Sequence, residues 1–248
     1  MLSERTINCS TCEIDKMASW SEKMLQLLRR MNNFHLPGSS LESCLRFEVA
    51  GEQVGWLYPK VASILGRFPA VFRPYGSTIT FSSGLDTFES RSVAVDEVLQ
   101  ELRREATFTC LIGWRDEAAG GLAASCSVRH TMVKECEEEA CIPQGLAEQA
   151  RPVGTVSYTY EDDEGIFPEC QFVFDLELPL NFQPHIGDGE VQAFYYYPIE
   201  KVKDLLVSEE FKPNCAMVVL DFLIRHAIIE PDSEPYYHEF VAGLHRSL

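Results

Sequence analysis

The sequence predicts an α+β protein of two units, and three observations carry that expectation. Between Ser92 and Glu105, Val95, Val98, Leu99 and Leu102 recur at helical spacing with charged residues on the remaining positions. Two strand-like runs, Val153–Tyr160 and Gln171–Leu178, bracket the acidic turn Glu161–Gly165. After Trp114–Glu117 the pattern changes, and Gly120-Gly121 opens a loop of small residues. We therefore expect a small α+β unit over 1–117, with 1–20 disordered, and a second unit over 118–248.

Taken in order, Ser21–Met31 places leucines at 25, 27 and 28 among basic residues, a short amphipathic helix. Leu45–Tyr58 alternates around Gly51, which predicts a hairpin. Val61–Phe68 reads as a helix stopped by Pro69, and Thr78–Phe81 as a strand. The 92–105 helix leads into a short strand at Thr107–Ile112. In the second unit, Val128–Ala140 is a helix, the two strands follow, and Glu190–Tyr197 is a further strand. Helices at Ile199–Leu206 and Cys215–Ile228 close the chain. Neither a repeat nor a low-complexity tract appears.

The 248 residues hold 21 basic and 38 acidic side chains, a formal net charge of −17. Such a surface repels phosphate backbones and anionic lipid, so nucleic-acid polymers and membranes are not expected partners. The longest apolar stretch, Cys215–Ile224, is too short to span a bilayer and is broken by Asp221. Met1–Trp20 mixes acids with polar residues, which predicts no signal peptide. Nine cysteines, an odd count without a secretion signal, point to reduced thiols and a cytoplasmic location, with the mitochondrion as the alternative. Cys9 and Cys12 form a C-x-x-C with no second pair at zinc-finger spacing.

The densest acidic cluster on any predicted helix is Lys134-Glu135-Cys136-Glu137-Glu138-Glu139. At roughly 100° per residue, Glu135, Glu138 and Glu139 share one strip while Glu137 points elsewhere. Like charges crowded on one strip repel, and a hard divalent cation such as Mg²⁺ would relieve them. A solvated acidic face is the simpler alternative.

The stretch from Gly120 to Ile142 resembles the Nudix box, G-x5-E-x7-R-E-U-x-E-E-x-G-U with U aliphatic. Gly120 stands at the first Gly, Glu135, Glu138 and Glu139 at the R-E-U-x-E-E carboxylates, and Ile142 at the last aliphatic. Lys134 replaces the Arg, Cys126 the first Glu, and Cys141 the last Gly. This version of the box resembles the thiamine-pyrophosphokinase-related branch of Nudix hydrolases. Gln53-Val54-Gly55-Trp56, Arg67-Phe68-Pro69, the 91–102 helix, Gly113–Glu117 and the segment from Phe211 to His226 look similar to it too. The resemblance spans roughly residues 40–230.

It implies a Nudix-type α/β/α sandwich with a mixed sheet, lacking its first strands because Glu117 runs almost directly into Gly120. It also implies hydrolysis of a small-molecule diphosphate with Mg²⁺, or Mn²⁺, as cofactor. Glu135, Glu138 and Glu139 would be metal ligands, and Glu138 or Glu139 the general base. Lys134 would orient Glu135 or contact phosphate, and Gly120 and Gly121 would let the backbone approach substrate. Glu190, in Asp188-Gly189-Glu190-Val191, resembles a downstream D-G-E-V carboxylate that reaches the metal. The implied substrates are thiamine diphosphate and its oxidised derivatives, or oxidised nucleoside diphosphates. The alternative is a truncated, catalytically inactive product acting only as a binding protein. The six histidines show no H-x-x-H or H-x-x-x-H pair, and Tyr195–Tyr197 could stack on a ring or simply pack in a strand.

Overall fold

A computed structural model describes residues 18–108, 111, 122, 126–163, 165–187 and 189–247. Gly120, Gly121, Asp188 and the Cys9/Cys12 pair lie outside the described residues. The chain is α+β, as expected, with one mixed sheet and several helices.

The first sheet has strand order β2-β1-β4-β3, built from β1 (Leu45–Val49), β2 (Glu52–Leu57), β3 (Phe72–Tyr75) and β4 (Thr78–Phe81). β1 and β2 form the expected hairpin, turned by Ala50 and Gly51 at φ 54° and 87°. Two consecutive left-handed residues match the twist of a two-residue hairpin. β1 runs parallel to β4, and β3 joins β4 antiparallel. The short helix α2 (Pro59–Leu65) and the long helix α3 (Phe88–Arg104) pack on this sheet. Thr87 caps α3 by accepting from the Ser90 N–H, so the helix begins before the Ser92 expected from its apolar period. Phe72, Ile79, Val98 and Leu102 form the centre of this core.

Thr107–Ile112 was expected as a strand. Thr107 and Phe108 are not in one, and Leu111 is helical. The Leu111 N–H bonds back to the Phe108 carbonyl, and Arg103 Nε donates to the Leu111 carbonyl, so local turn bonds take the groups a sheet would need.

A second core forms around the antiparallel pair β5 (Arg151–Glu161) and β6 (Ile166–Asp175). Val156, Tyr158 and Val173 face helices α1 (Trp20–Met31), α7 (Pro213–Arg225) and α8 (Tyr237–Leu244). α1 thus comes first in sequence yet buries Met24, Leu28 and Met31 in the second core. Ser19 opens it with a reciprocal capping box to Glu22. α6 (Ile199–Leu206) adds Leu206, while α4 (Val128–Ala140) and the short α5 (Gln144–Ala147) flank the sheet elsewhere. Tyr158 is fully buried, and its hydroxyl donates to Glu169 on the opposite strand while accepting from Gln171 at 3.1 Å. Burial, then that carboxylate, pushes the phenol far up, so it stays protonated.

Glu190–Tyr197 is not a strand. The rings of Tyr195 and Tyr197 stack at 5.5 Å, as two residues on one side of an extended chain do, so the alternation is real. What is missing is a partner: among the described residues this second sheet has two strands, and neither pairs with 190–197. Without a ladder the backbone stays irregular and the aromatic row stays exposed.

Candidate active site

α4 carries the carboxylate cluster, and its entry is fixed by Ser127, whose hydroxyl accepts from the His130 N–H at 3.2 Å. Arg129 then pins the helix to the sheet. Its Nη1 donates to the carbonyls of Glu148 and Ala150 at 3.1 and 3.0 Å, and its guanidinium lies 5.6 Å from the Phe174 ring centroid. Sequence reasoning missed Arg129. A lone basic residue in the first helical turn opposes the helix dipole, which was a usable hint that a specific contact holds it there.

Between α4 and β6 lies a cleft of about 450 Å³. Thr131, Met132 and Glu135 line it from the helix, and Cys170, Phe172 and Phe174 from the strand. Glu135 is accordingly the more covered carboxylate, its side chain 22% exposed against 43% for Glu138. The Lys134 ammonium donates to Glu138 Oε2 at 2.7 Å and stands 3.7 Å from Glu135 Oε1. That pairing raises the lysine's pKa, Glu138 first and Glu135 after it. Burial pushes the Cys136 thiol up, and the nearby charges of Glu139 and then Glu135 push it further. Cys136 therefore separates two carboxylates as a neutral thiol.

The donor set is all carboxylate oxygen at positions i, i+3 and i+4, which suits a hard divalent cation. Two of the three, Glu135 and Glu138, face the Lys134 ammonium. Among the described residues no three His, Cys, Asp or Glu side chains gather as a metal cage.

The helix ends on Cys141, at φ 52° and ψ 35°. Its N–H returns to the Glu137 carbonyl at 3.0 Å, and the Ile142 N–H to the Cys136 carbonyl at 3.0 Å. This left-handed stop is where helices favour Gly, because a side chain there crowds the backbone. Cys141→Gly is expected to raise folding stability by about 1 kcal/mol in urea titration.

The segment carrying Glu190 is brought to the same helix end. The His185 N–H donates to the Ala140 carbonyl at 3.2 Å, and Gly187 presses on the helix backbone. A Cβ at Gly187 would lie 1.8 Å from the Glu138 carbonyl oxygen. No side chain fits there without the loop lifting off. We expect Gly187→Ala to lower whatever turnover the wild type shows by about 100-fold through misplacement of the loop, with a stability cost of about 1–3 kcal/mol. Initial-rate kinetics and thermal unfolding measured together check it.

The molecule thus presents a carboxylate-bearing helix that shares a cleft with strand β6. Residues 23–120 match a family model described as a domain of unknown function, DUF4743. Over 119 residues the chain is 43% identical to Nudix hydrolase 20, chloroplastic, and 44% identical to Nudix hydrolase 24, chloroplastic, both of Arabidopsis thaliana. Each match covers 48% of this chain and 32% and 33% of those proteins, respectively. An uncharacterized Saccharomyces cerevisiae protein, YJR142W, is 38% identical over 142 residues, covering 52% of this chain and 42% of its own. The matches span less than half the length of these curated relatives, and they suggest a Nudix-related family.

Proposed function

We propose that this protein is a Nudix-type hydrolase of a small-molecule diphosphate, of the thiamine-pyrophosphokinase-related branch. The observation that carries the reading is the placement of Glu135 on the wall of the cleft, beside Glu138, on a helix of Nudix-box pattern. The names of the Arabidopsis relatives support the hydrolase class. The expected cofactor is Mg²⁺, with Mn²⁺ as substitute, held by Glu135, Glu138 and Glu139 with Glu190 as a fourth ligand. When bound, the ion would neutralise phosphate charge and lower the pKa of the attacking water.

The chain's own groups do the rest. Lys134, released from Glu138, contacts a phosphate oxygen or steadies Glu135. Glu138 or Glu139 takes a proton from water as its oxygen bonds to the terminal phosphorus. The bridging P–O bond breaks, leaving a monophosphate and inorganic phosphate. Phe172 and Phe174 offer an apolar wall to a flat ring, which suits thiamine diphosphate and its oxidised forms, or oxidised nucleoside diphosphates. Gly120 and Gly121 keep their proposed role at the backbone–phosphate approach. The division near residue 117 stands as a proposal, with α1 contributed to the second core.

Cytoplasmic location and the absence of membrane or nucleic-acid partners are likewise part of this reading. Among the described residues, no helix is long and apolar enough to cross a membrane. Phosphate release from thiamine diphosphate with Mg²⁺, measured on purified protein, tests the reading directly. A second reading, an inactive chain that only binds, is favoured by the two strands of that sheet and the lack of a three-ligand cluster, both among the described residues. It predicts no phosphate release at any metal concentration from a protein that unfolds cooperatively.

A further inference from the structure

A separate cavity of about 370 Å³ opens in the first unit, between β1–β2, α2, α3 and the tip of the β5–β6 hairpin. Its walls carry the rings of Phe47, Trp56, Phe72 and Phe108, and Val61 and Leu65 line it from α2. Among the described residues, no ionisable carboxylate, amine or guanidinium lines it, although the chain carries a net charge of −17. Most of these large apolar side chains stay partly solvent-accessible, so the space is open at one side and differs from a sealed packing void.

Two features make this a built cavity. One wall is braced ring against ring, with Phe47 and Phe72 at 6.3 Å and both packed on Phe81 at 5.5 and 5.7 Å. The opposite side is closed by Gly165 and Ile166 of the hairpin tip, which Tyr58 holds down. The Tyr58 hydroxyl reaches the Gly165 carbonyl at 3.2 Å, and Glu161 of the same hairpin accepts from the Ser40 N–H at 2.9 Å. Tyr58 is thus the polar group at the rim. Burial and then the nearby Glu161 charge keep its hydroxyl protonated.

We propose that this cavity is a binding site for a small, uncharged, ring-containing apolar molecule. Charge decides the class. Among the described lining residues an anion would meet no cation, with an acidic molecule around it, and a cation would meet no carboxylate or other anion. Rings decide the shape, since four aromatic side chains present faces and edges to a flat guest. The site is independent of the carboxylate helix and does not require hydrolysis.

The test is a fluorescence titration of the full chain with N-phenyl-1-naphthylamine, an uncharged two-ring probe. One saturable site per chain is expected, weakened at least 10-fold in Leu65→Trp, which fills the space. Val61→Phe serves as a second filling variant, and cooperative thermal unfolding checks that each one folds. The anionic probe 1-anilinonaphthalene-8-sulfonate should bind at least 10-fold more weakly than the uncharged one. The proposal fails if the wild type shows no saturable binding. It fails equally if binding is unchanged in a folded filling variant, or if both probes bind alike.

Discussion

On the proposed hydrolase reading, Glu138→Gln is expected to lower phosphate release from thiamine diphosphate by about 100-fold or more, while leaving folding nearly untouched. The substitution is isosteric and keeps an oxygen that can accept from Lys134, so only the charge is removed. The Lys134–Glu138 pair is largely exposed, and such pairs contribute little to stability, so unfolding midpoints should agree within about 0.5 kcal/mol. A large loss in rate without a loss in stability would then report on chemistry. Removing a positioned general base or a ligand carboxylate typically costs 10²–10⁴-fold. Glu135→Gln should behave alike, because its carboxylate lines the cleft. Glu137→Gln is the internal control, as it lies off the shared strip and should stay within about 2-fold of wild type. Near-full activity in Glu138→Gln would mean that the hydrolysis occurs elsewhere on the molecule.

The same helix shows how much could be read from sequence. Its boundaries, Val128–Ala140, follow from spacing alone, because they are local on a 3.6-residue period. Cys141 was visible as a departure from glycine in a motif. Only the backbone reveals that the position is left-handed and the departure strained. Gly187 gave no sequence signal, since its reason lies in a carbonyl 49 positions away. The strand at 190–197 failed for a related cause. Period-2 alternation reports how a chain would sit in a sheet, whereas pairing depends on a neighbour that alternation cannot supply. β3 has no strand signal because Phe72–Tyr75 contains Pro74. Most of all, the placement of α1 in the second core is a non-local fact. Its amphipathic face announced that it would be buried, but not against what.

The largest stability effect is expected where α7 meets the end of β6. Arg225 donates from Nη1 and Nη2 to Asp175 at 2.7 and 3.0 Å, and from Nε to Asp221 at 2.7 Å. His226 Nε2 lies 3.0 Å from the same Asp175 carboxylate. All three residues of the Arg–Asp cluster are largely covered, so Arg225→Met strands two carboxylates with little water to solvate them. Breaking a buried pair from one side costs about 3–5 kcal/mol, and that is the expected loss in urea titration at neutral pH. Converting the acids as well should recover part of it. Arg225→Met combined with Asp175→Asn and Asp221→Asn leaves no stranded charge, and the triple variant should be more stable than the single one. The pH dependence has a definite sign. The Arg225 hydrogen bonds hold the Asp175 carboxyl below its ordinary value, with His226 assisting. A depressed folded-state pKa contributes stability that is fully present above the unfolded value, about 3.9, and is lost as pH falls through the folded one. Wild type should therefore lose this contribution only in acid, below about pH 4. In Arg225→Met the Asp175 pKa rises, and protonation relieves the stranded charge. The stability gap between the two proteins should consequently narrow as pH is lowered from 7 toward 3, and a gap that stays constant would show that the clamp acts through packing and not through charge.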